Sequence, residues 1–216
     1  MGKSHDLATL KDDGGTFKSS LVIDTGTNGT PNIDFKHANS SADQFRLQAG
    51  TPAVTNGGFS IYDIDASQTR LNIDASGRVT MPYQPCFHAR PSTVNGANWS
   101  NGVYVTTYGS VPINDGNHFN GTTGIFTAPV AGRYVFHASL RFDGFNGSYL
   151  YYDIRINDSG RQARSLTSLN FTYHTYALSC VANMQANDTA RIWVNSVGDT
   201  SVDLDGDCDF YGYMVG

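Results

Sequence analysis

The sequence contains no glutamate: all 19 acidic residues are aspartate, and the four lysines lie within the first 36 residues. Glutamate and lysine are good helix formers, whereas the abundant Asp, Asn, Gly and Thr favour turns and strands. No stretch repeats apolar residues at the helical spacing for more than about two turns. These absences argue against a mainly helical protein and predict an all-β fold.

Long apolar runs and basic stripes are also missing. No run approaches the roughly 18 apolar residues of a membrane-spanning helix, so we expect no membrane insertion. The net charge of −5 argues against a nucleic-acid partner. The opening stretch MGKSHDLATLKDDGG has no apolar core of the kind that a signal peptide needs, so none is expected.

Cysteine and the common catalytic motifs are scarce. Cys86, Cys180 and Cys208 are far apart and form no Cys-x-x-Cys pair, which predicts free thiols and no disulfide framework. There is no Gly-x-Ser-x-Gly motif, and the six histidines show neither His-x-His nor His-Glu-x-x-His spacing. We therefore expect that the protein is not an enzyme and requires no cofactor.

Aromatic residues are unevenly distributed along the chain. Only five of the 26 fall in residues 1–80, where short strand-like pieces such as SLVID, PNIDF, QFRLQ, GFSIYDI, TRLNID and GRVTM are separated by polar turns. Chains with thin cores need disulfides, metals or partner subunits. With no disulfide framework, the first part is predicted to bury its apolar residues against copies of itself. The proline-rich stretch MPYQPCFHARP marks the boundary with the second part.

Several stretches of the second part alternate as half-buried strands do. RYVFHASLRF places Tyr134, Phe136, Ala138, Leu140 and Phe142 on one face, and SYLYYDIRIN does the same with Leu150, Tyr152, Ile154 and Ile156. FTYHTYALSCVAN and DTARIWVNS repeat the pattern less strictly. Strands at such intervals, broken by Gly, Asn and Asp, predict a sandwich or a jelly roll.

Residues 21–80 contain the stretches PNIDFKHANSSADQFRLQAG and GGFSIYDIDASQTRLNIDASGRVTMP. These are similar to shaft or collar segments of bacteriophage fibre proteins. The resemblance implies a polar attachment segment at 1–20, a β-rich, intertwined shaft or collar at 21–83 and a distal knob at 84–216, with three chains sharing one thin core. The matching positions are Ile33, Asp34, Phe35, Arg46, Leu47, Leu71, Ile73, Asp74, Gly77, Arg78 and Val79.

The distal part carries a second pattern, centred on GIFTAPVAGRYVF at Gly124 to Phe136. Together with Tyr108, Asn114, Phe119 and Ala138, it resembles the signature of the C1q-like globular domain, a relative of tumour necrosis factor. NDTARIWV and FYGYMV are similar to two later strands of that family. The resemblance implies a ten-stranded jelly roll that assembles as a homotrimer, with Tyr211 and Tyr213 near its axis. Ala138 replaces a ring of the family, which leaves space that another side chain must fill.

The stretch SVDLDGDCDFYGYMVG alternates Asp203, Asp205, Asp207 and Asp209 with other residues. A continuous strand would place these four carboxylates on one face. The resemblance implies calcium binding for some family members at the positions of Asp203, Asp205 and Asp207. A straight strand spaces alternate residues too widely for one ion, so calcium would need a bend at Gly206 or ligands from three chains. The alternative is a solvated acidic loop, paired with arginines such as Arg161 or Arg164.

Together, the resemblances imply a viral structural protein: a trimeric phage tail fibre, or receptor-binding protein, located on the virion. Its N-terminal segment would contact other virion proteins, and its knob would bind a glycan or protein of the host cell surface. Aromatic and polar residues of two loops are candidate receptor contacts, namely Trp99, Phe145, Asn146 and Tyr149; alternatively these loops are ordinary turns with partly buried rings. Two other functions remain open: a head fibre or vertex-stabilising protein on the capsid, and an extracellular C1q-like ligand or carbohydrate-binding module.

Overall fold

The computed structural model describes residues 30–36, 44–50 and 57–215. The chain divides into two compact units between Pro82 and Tyr83. Every regular element of the described ranges is a strand and none is a helix, which confirms the all-β prediction. None of these residues forms a helix able to span a membrane. The predicted attachment segment at 1–20 and the piece SLVID lie outside the described residues.

The N-terminal unit is one antiparallel sheet of five strands in sequence order. They are β1 (Asn32–Phe35), β2 (Phe45–Ala49), β3 (Gly57–Asp63), β4 (Gln68–Asp74) and β5 (Val79–Thr80). Ile33 lies opposite Leu47, which lies opposite Ile61, which in turn lies opposite Leu71. Because residues opposite each other in a sheet share a face, this register gathers the apolar side chains on one side.

The apolar face of this five-stranded sheet is largely open. Phe35 is 55% exposed and Val79 is 57% exposed, and no apolar side chain of the unit is buried among the described residues. The side chains that are buried, Gln48, Ser60 and Asp63, are polar. The described part of the unit therefore has no apolar core of its own, as the sparse aromatic content predicts. The intertwining of three chains stays a prediction.

The C-terminal unit is built from two sheets. The strands are β6 (Cys86–Pro91), β7 (Val94–Ala97), β8 (Val103–Tyr104), β9 (Tyr108–Asp115), β10 (Phe119–Asn120), β11 (Ile125–Thr127), β12 (Gly132–Asp143), β13 (Tyr149–Ile156), β14 (Gly160–Thr167), β15 (Tyr173–Met184), β16 (Thr189–Val197), β17 (Val202–Leu204) and β18 (Asp209–Met214). The front sheet has the order β7-β17-β12-β18-β6-β9, with β15 on β12. The back sheet has the order β10-β11-β16-β13-β14, with β8 on β16.

Aromatic rings from both sheets fill the space between them. The predicted alternation of β12 is confirmed, since every second residue from Tyr134 to Phe142 is fully buried. The ring of Phe87 on β6 lies 4.6 Å from Phe119, 5.1 Å from Phe126 and 5.0 Å from Phe210, measured between centroids. Two sheets joined across such a core form a jelly roll, as the sequence predicts.

The space beside Ala138 is filled from the facing sheet. Tyr152 on β13 is 1% exposed, and its hydroxyl lies 3.1 Å from the Ala138 carbonyl oxygen and 2.7 Å from that of Tyr176. A second close approach occurs at Gly212 on β18, where a Cβ would lie 2.5 Å from the Phe136 ring. The small residue of the FYGYMV strand is therefore required by the ring beneath it.

Two leucines of the C-terminal unit test this core. Leu140→Ala on β12 removes a side chain with no exposed surface, and we expect a loss of about 2–5 kcal/mol in the free energy of unfolding. Leu169→Ala makes the same change at a side chain that is 74% exposed, and a loss under about 0.5 kcal/mol is expected. Urea denaturation measures both. Equal losses would contradict the assignment of Leu140 to the core.

Candidate ligand-binding site

Three loops are joined at one end of the jelly roll, and the first two of them line a shallow pocket. They are residues 144–148 after β12, residues 168–172 after β14 and residues 198–201 after β16. The pocket has a volume of about 450 Å³. It is lined by Gly144, Phe145, Asn146, Asn170, Phe171 and Thr172.

Backbone and side-chain hydrogen bonds fix the first two loops to each other. The Phe171 N–H donates to the Phe145 carbonyl at 3.0 Å, and the Gly144 N–H donates to the Thr172 carbonyl at 2.7 Å. The Phe145 ring is 1% exposed and packs on Phe171 with 5.5 Å between centroids. The pocket therefore has an aromatic base held from two sides.

Two asparagines at the pocket keep unused hydrogen-bonding groups. The Asn170 side-chain amide donates to the Asn146 side-chain carbonyl at 2.8 Å, and both residues are exposed. This bond leaves the Asn146 amide N–H groups and the Asn170 carbonyl oxygen without a partner among the described residues. One side therefore donates and the other accepts, which matches a ligand whose hydroxyl groups do both.

Asp199 connects the third loop to the pocket. Its carboxylate accepts the Asn146 N–H at 2.7 Å and the Ser201 N–H at 3.0 Å. Partial burial works to raise the pKa of Asp199, but the N–H groups of Ser201 and Asn146 more than offset it, so the pKa is lowered. The ionised carboxylate is the form that holds the Asn146 loop.

The four predicted receptor contacts lie in different surroundings. Asn146 is at the pocket, with Phe145 beneath it. Trp99 is only 4% exposed, and its indole N–H donates to the Val202 carbonyl at 2.9 Å. Tyr149 is 39% exposed but lies at the start of β13, where its ring stacks on Tyr151.

The receptor-binding prediction needs a correction for Trp99 and Phe145. Both rings are packing residues beneath the loops, with 1% of Phe145 and 4% of Trp99 exposed, so neither ring can be the main contact with a partner. Asn146 and Tyr149 present accessible groups, and their role in binding stays a prediction. The sequence reasoning missed Asn170, Phe171 and Asp199, because their loops are distant in sequence and only the strand order of the jelly roll joins them.

The aspartate-rich stretch is a turn between two strands and not one continuous strand. β17 ends at Leu204 and β18 begins at Asp209. In between, the Asp205 carboxylate accepts the Asp207 N–H at 2.9 Å, which closes a turn around Gly206. The Cys208 thiol lies 2.9 Å from the Asp205 carbonyl inside this turn, and burial raises its pKa to about 12. All three cysteines are free, as predicted.

Each of the four carboxylates has a partner, and Asp205 and Asp207 share theirs. Asp203 accepts the Gly96 N–H, and Asp209 lies 2.6 Å from the His88 Nε2. Asp205 and Asp207 lie 3.7 and 3.4 Å from the Arg141 guanidinium. The expected partners were Arg161 and Arg164, but Arg164 instead binds Asp153 at 2.6 Å.

Arg141 supplies the positive charge of the acidic turn. It binds Asp143 through two bonds of 3.0 Å each, and this carboxylate raises the pKa of the guanidinium. Among the described residues no three acids, histidines or cysteines are grouped closely enough to hold a metal ion. Calcium binding by Asp203, Asp205 and Asp207, through the bend at Gly206 or with ligands from three chains, stays a prediction.

The comparison with protein families agrees with the topology. The C1q domain family matches residues 90–215, which is more than half of the chain. The chain therefore belongs to the C1q domain family. C1q domains commonly form homotrimers and are typically structural or ligand-binding rather than enzymatic.

Solved structures similar to the chain include the globular domain of the zebrafish complement 1qA protein. It is 15% identical with a TM-score of 0.47, over 62% of this chain and 98% of that one. Murine APRIL, solved at pH 8.0, is 12% identical with a TM-score of 0.48, over 61% of this chain and 99% of that one. No curated protein matches the chain.

Substitution of Asp199 by Asn tests the connection between the loops. We expect hydrogen exchange of the Asn146 amide to become about tenfold faster, because the N–H loses a charged acceptor. The Ala138 amide within β12 serves as the internal control and should be unaffected. Unchanged exchange at Asn146 would contradict the role given to the carboxylate.

Opening of the loop that carries the Asn146 amide depends on pH in a direction that follows from the pKa of Asp199. The pKa of Asp199 is lower in the folded than in the unfolded chain, where it is about 3.9. Its stabilising contribution is therefore complete above about pH 4 and is lost as the pH falls through the lower folded value. Opening of the Asn146 loop in the wild type should increase below about pH 4, and Asp199→Asn should remove that increase.

Arg141→Ala tests the charge balance of the acidic turn. The variant leaves Asp143, Asp205 and Asp207 without their cation, so we expect the melting midpoint to fall by a few degrees. Arg133→Ala, which removes an exposed arginine of the same strand, should leave the midpoint in place. Equal effects of the two changes would contradict this role.

Addition of a chelator to the wild type tests calcium directly: a lower melting midpoint supports the prediction of calcium binding, and an unchanged midpoint removes it.

Proposed function

We propose that the chain is a trimeric, non-enzymatic bacteriophage fibre protein whose C1q domain binds sugars of the host cell surface. Its N-terminal segment would attach it to other virion proteins, so that it lies on the tail or the capsid surface. The fibre assignment is supported by the resemblance of residues 21–80 to phage shaft and collar segments. The recognition role is supported by the pocket at Asn146 and Asn170.

Exposed apolar faces in both units support self-association. In the C-terminal unit, Tyr213 is 43% exposed and Val181 and Val215 are each 63% exposed, all on or next to the outer side of the front sheet. The apolar face of the N-terminal sheet is open in the same way. Exposed apolar patches of this kind usually mark interaction surfaces. A threefold knob on a threefold shaft would cover both without a symmetry mismatch.

The unused groups of the two asparagines carry the proposal for sugar binding. A sugar hydroxyl can accept from the Asn146 amide while a neighbouring hydroxyl donates to the Asn170 carbonyl. The pocket is shallow, so one contact is weak. Three copies on one trimer would bind a repeating glycan with a much greater overall affinity.

A glycan array probed with the purified chain tests this function. We expect binding to a subset of neutral or acidic glycans, and a loss of about tenfold or more for Asn170→Ala, because the variant removes both the open acceptor and the bond to Asn146. Asn183→Ala, at an exposed position of β15, is the matched control. Sedimentation should show three chains per particle. A monomer that binds no glycan would overturn the proposal.

The place of the protein on a virion is tested separately by electron microscopy of labelled particles. Label at the tail tip supports a receptor-binding fibre, and label over the shell supports a head fibre or vertex protein. Absence of label from particles, combined with glycan binding by the free protein, would replace the viral assignment with an extracellular C1q-like binding module.

A further inference from the structure

Three arginines stand side by side on the outer face of the back sheet; Arg161 is exposed, and Arg155 and Arg191 are half-buried. Arg155 on β13 is the register partner of Arg161 on β14 and of Arg191 on β16. Neighbouring strands lie about 4.8 Å apart, so the row is about 10 Å long. Like charges directly opposite each other in a sheet are destabilising. The row therefore needs compensation from the protein or from a ligand.

The protein compensates the row only in part. Asp153 has no exposed surface and accepts from Arg155 at 3.1 Å and from Arg164 at 2.6 Å. Asp158 lies 2.5 Å from Arg191. Arg161 is exposed and has no carboxylate partner among the described residues. These four arginines exceed the two aspartates by two positive charges, on a chain whose net charge is −5.

Aromatic rings hold three of the guanidinium groups in place. The pairs are Arg155 on Trp193, Arg164 on Tyr151 and Arg191 on Tyr104, with 3.6, 3.9 and 3.4 Å from the guanidinium carbon to the ring centroid. A stacked guanidinium keeps the N–H groups at its edge available to an oxyanion. The Trp193 ring is itself closely confined, because a Cβ on Gly102 would overlap it.

We propose that this arginine face, consisting of Arg155, Arg161, Arg164 and Arg191, binds the carboxylate or sulfate groups of an acidic polysaccharide. The arginine face is a second contact surface, distinct from the asparagine pocket. The inference rests on the proposed function only in that both surfaces take a glycan as ligand. The guanidinium groups already cover the rings, so bases of a nucleic acid have no open ring to stack on. A row of about 10 Å also contacts too few phosphates for strong binding to a duplex, and the negative net charge opposes it.

Dextran sulfate is a suitable probe, with neutral dextran as the matched polymer. The full chain is passed over each immobilised polymer at several salt concentrations. We expect binding to dextran sulfate alone, with an affinity that falls as salt rises. The combined change Arg161→Ala and Arg191→Gln should lower the affinity by about tenfold or more and reduce the salt slope by about two. Thermal melting confirms that the variant is folded.

Arg133→Ala on the front sheet is the matched control, because Arg133 is also exposed and has no ion pair among the described residues. It should bind as the wild type does. Failure to bind dextran sulfate, an equal loss in the control or equally tight binding to duplex DNA would each overturn the inference. If dextran sulfate is not bound while glycan binding still depends on Asn170, this inference fails and the proposed function stands. If dextran sulfate is bound but glycan binding does not depend on Asn170, the arginine face stands and the asparagine pocket is not the sugar site.

Discussion

The C-terminal unit depends on the contact between aromatic rings across its two sheets. Phe87 lies at the centre of this contact, within 4.6 to 6.3 Å of four other phenylalanine rings between centroids. Rings of this size bury much apolar surface and lock into offset or edge-on arrangements. The sheets are therefore fixed relative to each other, and the loops between their strands begin from rigid ends. Precise placement of Asn146 opposite Asn170 is a consequence of that rigidity.

The surface of the same unit is organised by arginine. Arg141 neutralises the acidic turn on one sheet, while Asp153 draws Arg155 and Arg164 together on the other. In the absence of glutamate, the short aspartate side chains hold these contacts close to the backbone. Arginine can serve several carboxylates and a ring at once because its donors lie in one plane. The charged side chains on the surface are thus held in specific contacts, as the rings of the core are.

Alternation of residues was enough to predict a sandwich or a jelly roll, because burial of every second side chain leaves a direct trace in the sequence, and the resemblance to the C1q signature selected the jelly roll. Tyr134 to Phe142 on β12 is the clearest example. The same alternation at Asp203 to Asp209 left a strand and an acidic loop both open, and the structure has a turn there, in which the Asp205 carboxylate accepts the Asp207 N–H. A two-residue repeat in the sequence alone does not distinguish the buried strand β12 from the aspartate-rich turn. The site was predicted only in part: Asn146 was found from its loop composition, whereas Asn170 and Asp199 reach it through long-range contacts that no local pattern encodes.

The bond between Asn146 and Asn170 joins two loops whose asparagine side chains contribute nothing to the packing between the sheets. Under the proposed function, substitutions at these positions would alter what the pocket accepts without disturbing the barrel that carries them. Selection can therefore change ligand preference in small steps while thermal tolerance stays nearly constant. A protein whose ligand on the host surface changes over time benefits when ligand contact and folding depend on different residues.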